Sequence, residues 1–228
     1  MAGRGVRAEK RSFPVSALSV TLVTVKASLC WLLAGISLLG VRDAGAMTVE
    51  ATDFDRLLDR AEQIFKAQVI AVQCAWSGEG ANRHIATFVR LRVLESYRGA
   101  AQGEQTLEFL GGTVGDRVEH VAGMPEFQPG DVEILFVRGN HIDLCPLVGI
   151  YFGRFRVVQS AADGREQVFL HDGAPLTDLS LVGREPAART KPAVTDASGA
   201  PTRAMSTKEF AAKIRDGLKR RGITPDDA

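Results

Sequence analysis

Cysteine and histidine are the residues of this sequence best able to bind metals or act in catalysis, and their spacing limits that chemistry. The chain has three cysteines and four histidines. It contains no C-x-x-C and no H-E-x-x-H motif, and no two histidines lie one helical turn apart, as paired metal ligands on a helix would. We therefore predict no metal site and no cofactor, and we interpret the histidines as solvated or structural: His84, His120, His141 and His171.

Cys74 and Cys145 are the two cysteines that remain if the first 46 residues are removed, as argued below. In an exported protein an even number of cysteines favours a disulfide. Closing a loop of about 70 residues would stabilise the fold by roughly 4 kcal/mol in the chain-entropy description. We therefore predict a Cys74–Cys145 bond. Two buried free thiols, or a metal or redox pair, are the alternatives.

Catalytic motifs are weak in this chain. Ser77 and Ser96 lack the G-x-S-x-G context that presents a nucleophilic serine. The glycine-rich stretch 111–115 lacks the lysine and the following helix of a phosphate-binding loop. The remaining enzymatic hypothesis is a hydrolase whose loops bring His120 and His141 together with neighbouring carboxylates.

Residues 1–46 have the pattern of a secretory signal peptide. A basic start precedes an apolar run at 27–41, and Ala44-Gly45-Ala46 follows it. Fifteen apolar residues make a helix of about 22 Å, shorter than the roughly 30 Å hydrocarbon core of a membrane. We predict cleavage before Met47 and a secreted or periplasmic protein. The alternative is an uncleaved anchor, which would make this a membrane-tethered structural protein.

Charge is distributed unevenly along the chain. Without residues 1–46 the protein has 22 basic and 25 acidic residues, a formal net charge of −3. Residues 50–183 carry −7, and residues 184–228 carry +4. Because phosphate backbones are bound by clustered positive charge, we predict that nucleic acid is not a partner of the processed chain.

The elements that must position these residues are mostly short strands. Helical spacing of apolar residues predicts an amphipathic helix over 52–65, capped by Thr52 or Asp53. Alternation and glycine-rich turns then predict successive strands, with Asp163-Gly164 as a hairpin turn. The predicted strands are 66–75, 84–97, 104–110, 116–122, 131–138, 141–145, 151–160 and 165–171. Closely spaced strands without βαβ alternation predict a mainly β fold, a small closed antiparallel barrel.

The last 45 residues differ from the barrel region. Residues 184–205 are rich in proline, alanine, serine and threonine, and they predict a flexible linker. Residues 206–222 open with a capping box and carry Phe210, Ile214 and Leu218 at helical spacing. We expect this amphipathic helix to fold back weakly on the acidic body. The alternative is that it orders on a partner or an anionic surface. The predicted domains are thus 1–46, 47–183, 184–205 and 206–222.

Four residues form the candidate binding surface of the predicted barrel. Arg90 and Arg92 mark the solvent-facing side of the longest predicted strand. Trp76 begins a polar, glycine-rich turn, and His141 follows the turn after the strand at 131–138. Exposed aromatic and basic side chains in such positions indicate binding rather than catalysis.

Short motifs between residues 60 and 171 resemble the netrin-like module, the barrel of the tissue inhibitors of metalloproteinases. They are the lead from Ala61 into Val72, Tyr97-Arg98-Gly99, Thr106-Leu-Glu-Phe, Ile134-Leu-Phe and Leu144-Cys145. The chain is also similar to a group of uncharacterised exported bacterial proteins, through Arg83-His84-Ile85, Phe109-Leu-Gly-Gly112 and Cys145-Pro-Leu-Val-Gly149.

The netrin-like resemblance implies an OB-like barrel scaffold but not the inhibitory mechanism. Those inhibitors bind the protease zinc with an N-terminal cysteine, whereas the processed chain would begin Met47-Thr48-Val49. We therefore expect an exported, non-catalytic module that binds a protein or an envelope polymer and needs no cofactor.

Overall fold

A computed structural model describes residues 52–99, 101–160, 163–184 and 203–223. The predicted signal peptide and most of the predicted linker, residues 185–202, lie outside these ranges. Within them, no helix combines the length and the hydropathy needed to cross a membrane.

Two α-helices, eight strands and two short 3-10 helices make up the described fold. The α-helices are α1 (Phe54–Arg60) and α2 (Thr207–Arg220), and the 3-10 helices are Gly80–Asn82 and Leu179–Leu181. The strands are β1 (Gln63–Ser77), β2 (His84–Arg98), β3 (Glu104–Leu110), β4 (Gly112–Val114), β5 (Arg117–Glu119), β6 (Val132–Val137), β7 (Arg154–Gln159) and β8 (Glu166–Phe169).

Six of the strands form one antiparallel sheet in the order β3-β2-β1-β6-β7-β8, and β4 pairs with β5 in a separate hairpin. The mainly β prediction is confirmed. The predicted closed barrel is wrong, because β3 and β8 are edges and neither described sheet closes on itself. The predicted hairpin at Asp163-Gly164 is confirmed by the pairing of Gln159 with Glu166.

The segment 139–148 explains why no closing strand forms beside β3. The amides of Ile142 and Asp143 both donate to Gly139 O in a tight turn, and His141 has a positive φ of 66°. Pro146 has no N–H to donate to a ladder. The strand predicted over 141–145 is therefore absent, and only isolated contacts reach β3, such as Leu110 N to Leu144 O at 2.9 Å.

Each face of the sheet covers its own hydrophobic core. The first core lies under both α-helices and includes Ile64, Phe136 and Phe155. The second core lies on the opposite face and includes Phe65, Leu135 and Phe109. Neighbouring residues Ile64 and Phe65 are both fully buried in different cores, as successive residues of a strand can be. The helix predicted over 52–65 therefore ends at Arg60.

The C-terminal helix α2 belongs to the first core. Its predicted capping box is present, with Ser206 and Glu209 bonded reciprocally. Phe210, Ile214 and Leu218 are buried among the side chains of α1 and the sheet. Arg221, just after the helix, also contacts the carboxylates of two α1 residues. The helix folds back on the body, as predicted, and its buried apolar stripe completes a core that the sheet and α1 leave uncovered.

Candidate functional site

Strands β1 and β2 extend together beyond the end of β6, where only β3 accompanies them along β2 in the described part of the chain; we name this extension the arm. Both are 15 residues long, and they pair from Ile64 and Arg98 to Ser77 and His84. Strand β6 pairs with β1 only over Gln63–Gln68. Beyond a register shift between Val69 and Ala71, the side of β1 away from β2 has no paired strand in the described part of the chain.

The backbone of three β1 residues faces this open side. Gly111 N donates to Ile85 O at 2.8 Å, so the backbone of Ile85 points toward β3. Trp76 lies opposite Ile85 in the antiparallel pair of β1 and β2. When the backbone N–H and C=O groups of one residue point away from the neighbouring strand, those of the residue opposite it point away as well. The N–H and C=O groups of Val72, Cys74 and Trp76 therefore face outward. None of these groups has a backbone partner among the described residues.

The open part of β1 lacks the usual protection of an edge strand. Residues 70–77 read IAVQCAWS, without a charged residue or a proline. Proteins commonly place lysine, proline or inward-pointing charges on exposed edges to prevent pairing with other chains. In the part of the chain that the structure describes, the one protective feature of this edge is the bulge at Val69/Ala71. We name residues 70–77 the β1 edge.

Trp76 lies near the end of the β1 edge and is 43% exposed. The Arg83 guanidinium carbon lies 4.5 Å from the centroid of the Trp76 ring. Such a cation–π contact holds the indole in place at an exposed site. The end of the arm thus presents an aromatic surface to solvent.

A cavity of about 380 Å³ lies on the inner face of the same arm. Val72 and Cys74 line it from β1, and Thr87 lines it from β2. The backbone of Gly112 approaches so closely that an added Cβ would lie 2.7 Å from Cys74 Sγ. The remaining walls come from β3, the β4–β5 hairpin and the loop after it: Phe109, Leu110, Gly111, Thr113, Val118, Glu119, His120, Val121, Met124, Pro125, Glu126 and Phe127.

A polar cluster centred on Glu108 lies on the outer face of the arm. Ser77 Oγ donates to Glu108 Oε1 at 2.6 Å, and His141 Nδ1 lies 2.9 Å from Oε2. His84 Nε2 lies 3.9 Å from Oε1, while its Nδ1 bonds to Asn82 O at 2.8 Å. The cluster therefore connects the end of the arm to β3 and to the 139–143 turn, where His141 has its positive φ.

The order of groups in this cluster suits an ion-pair network. In a catalytic relay the nucleophile contacts a general base, whereas here the Glu108 carboxylate lies between Ser77 and His141. Burial acts to raise the pKa of Glu108. The hydrogen bonds from Ser77 and His141, with the charge of both histidines, nevertheless hold that pKa below its ordinary value. A carboxylate that keeps its charge in this way is a weak proton acceptor.

We expect Glu108→Gln to weaken the fold in a pH-dependent manner. Because the folded-state pKa is lowered, ionised Glu108 stabilises the protein above its ordinary pKa of 4.5, and this contribution disappears as the pH falls below that value. The variant should lose about 1–2 kcal/mol at pH 7 and less at pH 3. Urea unfolding at both pH values measures this. Equal losses at both, or an equal effect of the exposed control Glu104→Gln, would contradict it.

The predicted Cys74–Cys145 disulfide is absent, and both residues are free thiols. Cys74 lies opposite Thr87, Thr87 lies opposite Phe109, and the next residue, Leu110, bonds to Leu144. Three strand spacings thus separate the cysteines, roughly 14 Å along the sheet. A disulfide needs Cα atoms about 4.4–6.8 Å apart. The sequence could not show that β2 and β3 lie between them.

The two thiols should differ strongly in reactivity. Cys74 is exposed, whereas burial raises the pKa of Cys145 to about 11. Since the thiolate is the reactive form, iodoacetamide at pH 8 should modify Cys74 in the native protein and Cys145 only after denaturation. Mass spectrometry of the tryptic peptides measures both. A peptide pair linked through Cys74 and Cys145 in the unreduced protein would contradict the structure.

The structure separates the predicted binding residues between two faces. Arg90 and Arg92 lie on the outer face with Glu108 and His141, and Arg90 lies 3.9 Å from Glu104. Trp76 shares the inner face with its buried partner Ile85. These residues therefore do not form one continuous surface.

The hydrolase alternative requires His120 and His141 to lie close together, and the sequence predicts no metal site. His120 lines the inner cavity, whereas His141 belongs to the outer cluster, so the fold does not bring them together. In the described ranges no three histidine, cysteine or acidic side chains are arranged to hold a metal ion.

Sequence reasoning missed three members of the outer cluster: Ser77, His84 and Glu108. Ser77 and His84 flank the turn of the arm and lie opposite each other, which the hairpin pattern could have indicated. Glu108 joins them only through the register of β2 with β3, and no local pattern encodes that register.

Comparisons of this chain with protein-family models, with curated proteins and with solved structures find no match. The resemblance to the netrin-like module therefore stays a prediction from short motifs.

Proposed function

We propose that this protein is an exported, non-catalytic binding module that accepts an extended polypeptide as an additional strand on the β1 edge. The observation that carries the proposal is that the outward N–H and C=O groups of Val72, Cys74 and Trp76 have no backbone partner among the described residues, on an edge whose side chains carry no charge. Strand addition of this kind derives affinity from main-chain hydrogen bonds and specificity from pockets for alternate side chains.

The β1 edge has defined ends. Gly130 N donates to Val69 O, and Val69 N donates to Asp131 O, both at 2.8 Å, so the chain after the cavity blocks one end. The turn containing Gly80–Asn82 marks the other end. Between them, Val72, Cys74 and Trp76 offer three outward N–H and three outward C=O groups. An extended segment of about seven residues matches this length.

A polypeptide fits this edge better than an envelope polymer does. Residues that face the same side of a strand recur about 6.8 Å apart along the chain, which is the spacing of like groups on another strand. Donors and acceptors alternate in the pattern that an antiparallel or parallel partner reproduces. Polysaccharide recognition would instead call for side-chain donors and aromatic platforms on one face, and Trp76 and Arg90 lie on opposite faces.

The proposal is tested by selecting twelve-residue peptides from a random displayed library on the purified protein. Cys74→Pro removes the central outward N–H of the β1 edge, and proline is tolerated on edge strands. Cys74→Ala removes the same thiol and keeps the N–H. We expect selected peptides to bind Cys74→Pro at least tenfold more weakly than they bind Cys74→Ala.

Circular dichroism and thermal unfolding must first show that both variants keep the fold. If no peptide is selected, or if the selected peptides bind both variants equally, the β1 edge is not the binding site. If the protein pairs with a second copy of itself through the β1 edge, Cys74→Pro will convert a dimer to a monomer in sedimentation, and the proposal of a separate polypeptide partner fails.

A further inference from the structure

We infer that the added polypeptide presents a lysine or arginine side chain to the cavity beside the β1 edge. This inference rests on the proposed function and names the chemistry of its partner. Val72 and Cys74 connect the two features, because their backbones form the edge and their side chains line the cavity. A strand that pairs with this edge therefore lies next to the cavity.

Strand geometry determines which partner side chains reach this side of the sheet. Side chains of directly opposed residues on neighbouring strands share a face, with Cβ atoms about 4.5–5.5 Å apart. Partner residues opposite Val72 or Cys74 would thus project toward the inner face. Residues between them would project toward the outer face, where Gln73 and Ala75 are exposed. The cavity therefore contacts the partner's side chains at one or two alternate positions.

The cavity walls suit a side chain with an apolar stem and a charged end. Val72, Phe109, Met124 and Phe127 provide apolar surface. Phe127 is held against Phe109, with ring centroids 5.1 Å apart, so this wall is ordered. Lysine and arginine bury their methylene groups against such surfaces while their charged ends stay near polar groups.

The charge of the lining favours a cation. The described residues that line the cavity include two glutamates, Glu119 and Glu126, and one histidine, His120, but no lysine or arginine. Glu119 is positioned by the amide of Ile85, which donates to its Oε2 at 2.8 Å. Glu126 is exposed at the surface. A basic side chain here gains charge-assisted hydrogen bonds, and an acidic side chain would be repelled.

The test compares two versions of a selected peptide whose binding depends on the outward N–H of Cys74. One version keeps its basic residue, and the other has norleucine in that position. We expect the norleucine peptide to bind the original protein about tenfold more weakly. On Glu126→Gln the two peptides should bind within about twofold of each other, and on Glu119→Gln the difference should shrink. The control Glu104→Gln removes an exposed carboxylate outside the cavity, and there the tenfold difference should persist.

Failure of this inference differs from failure of the proposed function. If selected peptides lack basic residues, or if the basic and norleucine peptides bind the original protein equally, the cavity does not select a cationic side chain. Binding would still depend on the Cys74 N–H in that case. An equal loss of preference in Glu104→Gln would assign the effect to overall charge and would also overturn the inference.

Discussion

Replacing Phe210 by alanine is expected to lower the free energy of unfolding by about 3–5 kcal/mol. Phe210 is fully buried, and its ring centroid lies 4.8 Å from that of Phe155 and 5.8 Å from that of Phe54. Truncation removes apolar burial and leaves a cavity where α2, α1 and the sheet meet. Most small domains are stable by only about 5–15 kcal/mol, so this loss is a large fraction of the total.

Urea unfolding followed by circular dichroism measures this loss. The control is Lys213→Ala, which changes an exposed residue of the same helix and should alter stability by less than about 0.5 kcal/mol. A loss below about 1 kcal/mol for Phe210→Ala would mean that α2 is held weakly, as the sequence alone suggested.

Replacing Arg154 by methionine is expected to destabilise the protein by a similar amount, about 3–5 kcal/mol. Arg154 Nη2 donates to Glu133 Oε1 at 2.7 Å, and both side chains are buried. The guanidinium carbon also lies 4.3 Å from the centroid of the Phe127 ring. Without Arg154 the Glu133 carboxylate would remain buried without its counter-charge. Its other oxygen, Oε2, already has no hydrogen-bond partner among the described residues.

Glu133 gives this pair a definite pH dependence. Burial raises the pKa of Glu133 despite the opposing effect of Arg154. The folded state therefore holds the Glu133 proton more tightly than the unfolded chain does, and Glu133 costs stability as the pH rises through that raised pKa. Glu133→Gln should remove this part of the pH dependence.

The double variant Glu133→Leu/Arg154→Met separates the cost of an unpaired charge from the value of the pair. It should recover most of the stability that Arg154→Met loses, since replacing both members by apolar residues is often neutral or stabilising. A double variant as unstable as the sum of both single variants would contradict this explanation.

Local patterns in the sequence predicted the elements better than their arrangement. The capping box at Ser206, the stripe of Phe210 and Ile214, and the hairpin at Asp163-Gly164 follow from short-range chemistry. Whether α2 docks depends on an uncovered sheet face that is assembled from distant strands. Helix α1 was predicted too long because Ile64 and Phe65 continue its apolar spacing, although they serve two separate cores.

The candidate site was the least predictable part because it also depends on how distant strands pair. Cys74 and Cys145 suggested a disulfide, yet two intervening strands separate them. Trp76 is 43% exposed, yet its backbone contributes more to the proposed strand addition than its ring does. The free edge exists because β6 leaves β1 after Gln68, and that departure is encoded by no motif within β1 itself.

Amide hydrogen exchange along β1, measured residue by residue by NMR, tests the central claim most directly. In the free protein the amides of Val72, Cys74 and Trp76 should exchange rapidly, while those of Gln73, Ala75 and Ser77 should be protected by their bonds to β2. Adding a selected peptide should slow exchange at Val72, Cys74 and Trp76 and leave the other three unchanged. Protection of the three outward amides in the free monomer, or their continued rapid exchange in the complex, would contradict strand addition at the β1 edge.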